Sequence, residues 1–253
     1  MKNELLHIGP LTVYGYGLMI ALGVIAVYLT MEYRASKRGY RTEHVLPLFL
    51  WCLAGGFAGA KLAFLFTEWK YFVRDPGYYL MHFSDGFVVY GGIILGILTG
   101  FLYCMICGLN FLSWADLFLP SVALGQAFGR VGCFLAGCCY GKETDLPFGI
   151  VFHNSEFAPN NVRLYPTQLI SAAFDAALFL VLITLAKHTK KDGTVAVSYL
   201  VLYSIGRFLI EFLRGDPERG TIGPLSTSQA ISLAALIFIT ITAIISTALK
   251  KRA

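Results

Sequence analysis

The chain has 253 residues, of which 57% are hydrophobic and only 14% are charged, whereas an ordinary soluble domain carries about 25% charged residues. Its mean hydropathy is +0.66, and a soluble protein of this length could not bury so much apolar surface. These values exclude a disordered chain, a secreted disulfide scaffold and a cytosolic enzyme, and they predict an all-α, polytopic membrane protein. The net charge of +5 is small and dispersed, so we expect no nucleic-acid partner.

Seven apolar segments are long enough, at about 20 residues each, to cross a membrane as helices. In chain order they are residues 11–31, 45–67, 87–107, 111–129, 167–186, 194–213 and 228–249. The fifth contains one charge, Asp175, and the sixth contains Arg207 and Glu211. We expect residues 1–253 to form a single integral membrane domain with an outer loop around residues 130–166.

Lysine and arginine predict the orientation, because cytoplasmic loops carry an excess of them. The loops after the first and fifth spans and the C-terminal tail lie on one side and hold ten such residues. The opposite side holds nine, and six remain when Arg130, Arg207 and Arg214 are set aside as residues directed at a site. The count predicts an outside N-terminus and a cytoplasmic C-terminus.

Small residues spaced by four predict close helix contacts, because they let backbones approach each other in lipid. Three groups follow this spacing: Gly55 and Gly59; Gly92, Gly96 and Gly100; Gly125 and Gly129. The pattern is typical of helix packing, and it would also leave room for a lipid chain.

Several polar residues are expected at one depth of the membrane. Arg207 lies thirteen residues into its span, about 20 Å across an apolar core of about 30 Å. Tyr203, Arg207 and Glu211 are spaced by four and therefore share a helix face. The residues expected at this depth, that of the outer headgroups, are Tyr16, Lys61, Tyr90, Arg130, Tyr203, Arg207, Glu211 and Arg214.

The cations among them outnumber Glu211, the nearby anion. Charges are costly inside a membrane and usually face a cavity or a partner, so the surplus predicts an anionic ligand. A phospholipid phosphate fits this depth, and arginine binds phosphate through two hydrogen bonds. A plain Arg207–Glu211 ion pair with interfacial tyrosines is the structural alternative.

Residues 129–141, GRVGCFLAGCCYG, resemble the glycine-rich signature GRxGNFxNxExxG of the prolipoprotein diacylglyceryl transferase family. Asp116 also has a counterpart before that signature. Four more segments resemble family motifs in the same order: YGLM at 16–19, YGGIILG at 90–96 against HGGxxG, YPTQL at 165–169 against HPxQLYE, and YSIGRFLIEFLR at 203–214 against YGxxRFxxEFxR. The ordered set covers nearly the whole chain.

The resemblance implies seven spans, an outside N-terminus and a bacterial plasma-membrane location. It implies transfer of a diacylglyceryl group from phosphatidylglycerol to the lipobox cysteine of a prolipoprotein, with release of glycerol phosphate and no metal or other cofactor. The expected catalytic residues are Arg130, Arg207, Glu211 and Tyr90. The expected substrate-binding residues are Tyr16, Lys61, Tyr203, Arg214, Gly129, Gly132 and Gly141.

The sequence departs from the family pattern at several polar positions. Tyr90 stands where the family has histidine, and a tyrosine is a poor general base at neutral pH. Cys133 and Ala136 replace two asparagines of the signature, and Cys138 stands at or near its acidic position. The chain is therefore expected to be a divergent member.

Cys133, Cys138 and Cys139 lie in the signature, and four interpretations stay open: a disulfide, a redox-active trio, a metal site or plain packing. The first alternative function is a thiol-redox membrane protein that uses these cysteines, and a catalytically silent lipid-binding relative is another. A small-anion transporter is a further alternative, but it would favour internal repeats, and the sequence contains none.

Overall fold

The computed structural model describes residues 4–8, 11–83, 86–216 and 220–250. Its helices are α1 (Gly15–Lys37), α2 (Val45–Thr67), α3 (Trp69–Phe72), α4 (Pro76–Met81), α5 (Val89–Ile106), α6 (Phe111–Ala136), α7 (Thr167–His188), α8 (Thr194–Ile210) and α9 (Thr227–Lys250). Short 3₁₀ turns lie at Thr42–His44 and Glu211–Leu213. Seven of the described helical segments are long and apolar enough to cross a membrane, which confirms the expected all-α, polytopic class.

Four cations used to predict the orientation, Lys2, Arg219, Lys251 and Arg252, lie outside the described residues, and the orientation stays a prediction.

The described residues also form three small antiparallel sheets of two strands each. They pair β1 (Glu4–Ile8) with β2 (Leu11–Tyr14), β3 (Ile150–Val151) with β4 (Arg163–Leu164), and β5 (Thr221–Ile222) with β6 (Leu225–Ser226). In the first sheet Thr12 lies opposite His7 and Tyr14 opposite Glu4. The first membrane helix therefore starts at Gly15, four residues later than expected, because residues 11–14 form a strand.

Helix α6 extends to Ala136, whereas the sequence predicts a span that ends at residue 129. It ends at Gly137, whose φ of +79° favours glycine. The backbone N–H groups of Gly137 and Cys138 both donate to the Cys133 carbonyl, at 2.9 and 3.2 Å, in a Schellman-type helix end. Arg130 and Cys133 are consequently helical, and the expected loop at 130–166 begins only at Gly137.

Backbone contacts divide the described chain into two compact units. The first holds the residues up to Thr30 and those from Ala115 onward, and the second holds Met31–Trp114. The expectation of a single membrane domain stays a prediction. A buried apolar cluster in the first unit joins α6, α7 and α8, and its members are Ala123, Leu178, Leu182, Ala186, Val195 and Tyr199.

Asp116 on α6 anchors the start of α8 in the first unit. Its carboxylate is 6% exposed and accepts the backbone N–H groups of Gly193 at 2.9 Å and Ala196 at 2.7 Å. A carboxylate at this position satisfies helix N–H groups that have no partner within the helix. The buried charge therefore stabilises the register of α8 against α6.

Glycines bring α2 and α5 together in the second unit, as their spacing predicts. A Cβ atom on Gly92 would lie 2.8 Å from the carbonyl oxygen of Gly56, and one on Gly100 would lie 2.8 Å from Cys52 Sγ. Both distances are too short for a real side chain, so a larger residue would force the helices apart. Gly129 differs, since the nearest atom to its Cβ position is Ile20 Cδ1 at 3.8 Å.

Candidate functional site

A small cavity, partly open to the surface, lies in the first unit, and its lining comes from α6, α7 and α8. The lining residues are Arg130, Ser171, Phe174, Asp175, Tyr203, Arg207 and Ile210. Three of them, Arg130, Tyr203 and Arg207, are site residues that the sequence predicts. The walls combine two cations, one carboxylate, two hydroxyl groups and two apolar side chains, which suits an amphiphilic ligand with an anionic group.

Arg130 is the cavity cation that has neither a hydrogen-bond nor an ion-pair partner among the described residues. It is half-buried, and within the part of the chain that the structure describes it forms no hydrogen bond and no ion pair. Asp175 interacts with it electrostatically without forming an ion pair. A half-buried guanidinium with unused donors favours an anionic ligand at this point.

Asp175 is a cavity residue that sequence reasoning did not select. Its side chain on α7 is buried, with 3% of its surface exposed, and it interacts with both Arg130 and Arg207. A single carboxylate in an otherwise uncharged span is itself a signal, because such residues usually face a cavity or a partner. That signal was present in the sequence.

Arg207 is held in place from two directions. Its Nη2 atom lies 2.8 Å from Glu211 Oε2 and donates to Ser228 Oγ at 2.8 Å. The side chain of Glu211 is only 1% exposed and that of Arg207 is 14% exposed. The pair therefore fixes the guanidinium at the cavity wall while part of it stays accessible.

Tyr203 lies one helical turn before Arg207 and stacks on Tyr199, with ring centroids 5.6 Å apart and planes 13° from parallel. The Tyr199 hydroxyl donates to Gln126 Oε1 at 3.0 Å. The Tyr203 hydroxyl, in contrast, makes no hydrogen bond to any described residue. It is available to a ligand in the cavity.

Arg214 is not a surplus cation, which corrects the expectation from the sequence. Asp216 accepts two hydrogen bonds from it, one from Nε at 2.8 Å and one from Nη2. Burial disfavours the charged guanidinium, but the hydrogen bond to Asp216 raises the pKa of Arg214. Asp175 and Asp216 thus add two carboxylates to Glu211, so the surplus of cations is smaller than predicted.

The signature and the late arginine motif pair along their backbones. The Lys142 N–H donates to the Leu213 carbonyl at 2.8 Å, and the Gly215 N–H donates to the Tyr140 carbonyl at 3.1 Å. Gly141 and Arg214 form the bridge between these bonds. A Cβ on Gly141 would crowd Tyr165 and lie 3.0 Å from Thr167 Cγ2, so this glycine permits a close backbone contact.

A family model described as prolipoprotein diacylglyceryl transferase matches residues 3–245. The chain belongs to this family. It is 45% identical over 237 residues to the phosphatidylglycerol–prolipoprotein diacylglyceryl transferase of Clostridium tetani, with 94% of each chain covered. It is 44% identical to the second such enzyme of Clostridium perfringens, covering 94% of this chain and 92% of the relative. The corresponding Clostridioides difficile protein is 35% identical over 222 residues, covering 88% and 86%.

This membership confirms the resemblance on which the sequence interpretation depends. The match extends over nearly the whole chain and includes both compact units. The thiol-redox and lipid-binding alternatives are not favoured. The roles of individual residues are a separate matter and stay predictions.

Two further residues of the diacylglyceryl transferase motifs, Tyr16 and Gly132, lie against each other. A Cβ on Gly132 would lie 3.2 Å from Tyr16 Cδ2 and 3.3 Å from Met19 Cβ. Tyr16 is 43% exposed, and its hydroxyl makes no hydrogen bond in the described chain. The small signature residue therefore sets how closely the Tyr16 ring approaches α6.

The signature cysteines of this family member converge, although the sequence placed all three in a loop. Their Sγ atoms all lie within 4.8 Å of one another, and each residue is half-buried with a free thiol. Hydrogen bonds from Cys133 and Cys138, and then the charges of Arg214 and Arg130, lower the pKa of Cys139. Cys139 therefore lies within electrostatic reach of Arg130, a cavity cation.

Lys61 and Tyr90 belong to the second unit. Lys61 is 5% exposed, and its Nζ lies 4.9–5.3 Å from the ring centres of Phe64, Phe83 and Phe87, within range for cation–π contacts. Tyr90 is the second residue of α5 and is 39% exposed. Their assigned roles in binding and catalysis stay predictions.

Proposed function

We propose that this chain transfers a diacylglyceryl group from phosphatidylglycerol to the lipobox cysteine thiol of a prolipoprotein, releasing glycerol phosphate. The observation that carries the proposal is Arg130, a half-buried cation without a hydrogen-bond or ion-pair partner in the described chain, on the wall of a cavity that also presents Arg207 and Tyr203. The names of the curated relatives supply the substrates.

Recognition of the lipid follows from the cavity lining. Arg130 and Arg207 bind the phosphate, since guanidinium groups donate two parallel hydrogen bonds to phosphate oxygens. The Tyr203 hydroxyl binds a headgroup oxygen, while Phe174 and Ile210 contact the apolar part of the diacylglyceryl group. Asp175 limits the positive charge, so that the leaving phosphate is not held too strongly.

The transfer is a substitution at a glycerol carbon. A thiolate sulfur forms a bond to that carbon, and the bond between the carbon and the phosphate oxygen breaks. Negative charge develops on the departing phosphate, and fixed cations stabilise it. Arg130 and Arg207 are the catalytic residues in this step. Glu211 and Ser228 are positioning residues, because they act through Arg207.

The finer partners and the location belong to the same proposal. Seven membrane helices and the family support a multi-pass membrane protein. We assign the chain to the bacterial plasma membrane, where phosphatidylglycerol and the lipobox segment of a secreted preprotein meet. Holding both reactants in one site supplies the proximity that the substitution needs.

A transfer assay tests this function directly. Purified protein in phosphatidylglycerol-containing micelles receives a lipobox peptide, and mass spectrometry follows the thioether-linked product while a second assay follows glycerol phosphate. Wild-type protein and Lys190→Ala, an exposed cation outside the cavity, should both form product. Arg207→Ala should form none. Absence of both products with the wild type, while phosphatidylglycerol stays bound, would refute the proposed reaction.

A further inference from the structure

The three signature cysteines have the separation of a thiolate metal site. A tetrahedral Zn²⁺ ion with Zn–S bonds of about 2.3 Å needs sulfurs about 3.8 Å apart. The Sγ atoms of Cys133, Cys138 and Cys139 all lie within 4.8 Å of one another. Adjustments of about 1 Å or less, within reach of side-chain rotation, therefore bring all three sulfurs onto one ion.

The backbone around the cluster is already fixed. The helix end at Gly137 turns the chain so that Cys138 lies over the last turn of α6, and its N–H donates to the Cys133 carbonyl. From α7, Thr167 Oγ1 donates to the Cys139 carbonyl at 2.9 Å, and Gln168 Nε2 donates to the Cys138 carbonyl at 2.8 Å. Both anchoring side chains are 1% exposed. The cysteines are thus presented by a rigid turn.

The charges around the cluster suit a metal bound by thiolates. Three thiolates and one Zn²⁺ ion sum to a single negative charge. Arg214 and Arg130 both interact electrostatically with Cys139, and their positive charges offset that net charge. Sulfur ligands select soft or borderline metals such as zinc over magnesium or calcium.

We propose that Cys133, Cys138 and Cys139 bind one Zn²⁺ ion whose fourth ligand is the thiolate of the acceptor cysteine. The first half of this proposal stands on the cluster alone, and the second half rests on the proposed function. A zinc site with three protein ligands and one exchangeable position is the arrangement used in catalysis. The sequence leaves a metal site open among four interpretations, with no histidine spacing to support it, and the fold brings the three sulfurs together.

The acceptor chemistry explains why such a site would be useful. Binding of the acceptor thiol to Zn²⁺ forms a Zn–S bond and releases the thiol proton to water, since metal ligation requires the deprotonated sulfur. The zinc-bound sulfur then forms the bond to the glycerol carbon while the carbon–oxygen bond to the phosphate breaks. The thioether product carries no charge and leaves the metal, and the electron pair departs with glycerol phosphate. Activation by the metal thus replaces the histidine that Tyr90 does not supply.

A disulfide is the competing state of the same residues. It would join two of the sulfurs and leave the third as a lone thiol, whereas in the structure all three thiols are free and lie within 4.8 Å of one another. A disulfide also removes the thiolates that a metal requires. The two states therefore differ in thiol content and in metal content.

Metal content and cobalt substitution test the site without using activity. The full chain is purified with a reductant and without chelators, and its zinc is measured by elemental mass spectrometry. We expect about one zinc ion per chain in the wild type and in Cys107→Ser, a half-buried cysteine outside the cluster, and loss of zinc in Cys133→Ser. Cobalt added to zinc-free wild type should give intense thiolate-to-cobalt absorption. Reduced wild-type protein with neither zinc nor this absorption would overturn the site, as would a disulfide that resists the reductant.

The identity of the fourth ligand is tested in a separate experiment, by the visible absorption of the cobalt-loaded protein. A lipobox peptide added to the cobalt-loaded protein should shift the visible cobalt bands, and the same peptide with serine in place of cysteine should leave them unchanged. Equal spectra with both peptides would overturn the acceptor ligand while the metal site stands. A cysteine-dependent shift without any transfer product would instead contradict the proposed function.

Discussion

The Arg207 guanidinium lies 2.8 Å from the carboxylate of Glu211, one helical turn further along the chain. The acid is almost completely buried, and the arginine reaches the cavity wall. The carboxylate itself does not line the cavity. The ion pair fixes the position of the guanidinium at the cavity wall.

Two variants distinguish the effect of this ion pair on stability from its effect on transfer activity. Arg207→Ala removes the ion-pair partner of a buried carboxylate and should lower the free energy of unfolding by about 3–5 kcal/mol. The double variant Arg207→Ala/Glu211→Gln no longer buries that charge and should recover most of the stability without any transfer activity. Thermal unfolding in detergent and the transfer assay measure the two effects. A double variant as unstable as Arg207→Ala would contradict the ion pair's assigned role.

Substitution of Arg130 should lower the rate of transfer without lowering the stability of the fold. Arg130→Gln removes a cation that has no partner in the described chain, so the fold should keep its stability while transfer falls about 10²–10³-fold. Arg130→Lys keeps the charge but loses the paired hydrogen bonds, and should retain intermediate activity. Initial rates at saturating phosphatidylglycerol measure both changes. Wild-type rates in Arg130→Gln would remove Arg130 from the catalytic residues.

Gly132 and Gly129 form a matched pair on the same helix. Gly132→Ala would place a Cβ 3.2 Å from the Tyr16 ring and 3.3 Å from Met19, so we expect a destabilisation of about 1–3 kcal/mol and a displaced Tyr16. Gly129→Ala meets its nearest atom at 3.8 Å and should leave the free energy of unfolding nearly unchanged. Thermal unfolding and the KM for phosphatidylglycerol distinguish the two variants. Equal effects would mean that Gly132 does not position Tyr16.

Asp175 should weaken lipid binding in the wild type. The negative charge of Asp175 partly offsets the positive charges of Arg130 and Arg207. Asp175→Asn removes this negative charge at nearly constant side-chain volume, so it should strengthen the attraction of the two arginines for phosphate. We expect the KM for phosphatidylglycerol to fall by up to about tenfold, or about 1.4 kcal/mol. Asp192→Asn, an exposed acid outside the cavity, is the control. A higher KM in Asp175→Asn would show that the carboxylate supports lipid binding.

A substitution of Lys61 tests its predicted role in substrate binding. Lys61→Met keeps the length of the alkyl chain and its contacts with the surrounding phenylalanine rings, but it removes the positive charge. If Lys61 binds the substrate, the KM for phosphatidylglycerol rises while the free energy of unfolding changes little. An unchanged KM together with a less stable protein would assign the cation to the aromatic contacts of Phe64, Phe83 and Phe87.

The long elements and the arginine pair could be predicted because their signals are local. Charge-free runs of about 20 residues specify membrane helices, and the spacing of four between Arg207 and Glu211 specifies an ion pair within one turn. Both features depend only on neighbours along the chain. The close packing at Gly92 and Gly100 follows from the same kind of periodicity.

The rest of the site depends on contacts between distant segments. No local pattern shows that Asp175 on α7 lines the same cavity as Arg130 on α6. The convergence of Cys133 with Cys138 and Cys139 depends on where α6 ends. That end is set by Gly137 with its positive φ and lies seven residues beyond the expected one.

The most direct test of the phosphate site measures how much phosphatidylglycerol stays bound when Arg130 is substituted. Native mass spectrometry compares the lipid retained by the wild type, by Arg130→Gln and by Lys190→Ala as detergent is removed. If Arg130 and Arg207 hold the phosphate, the wild type and Lys190→Ala keep phosphatidylglycerol and Arg130→Gln loses it. Equal retention by all three proteins would place the phosphate elsewhere and contradict the assignment of this cavity.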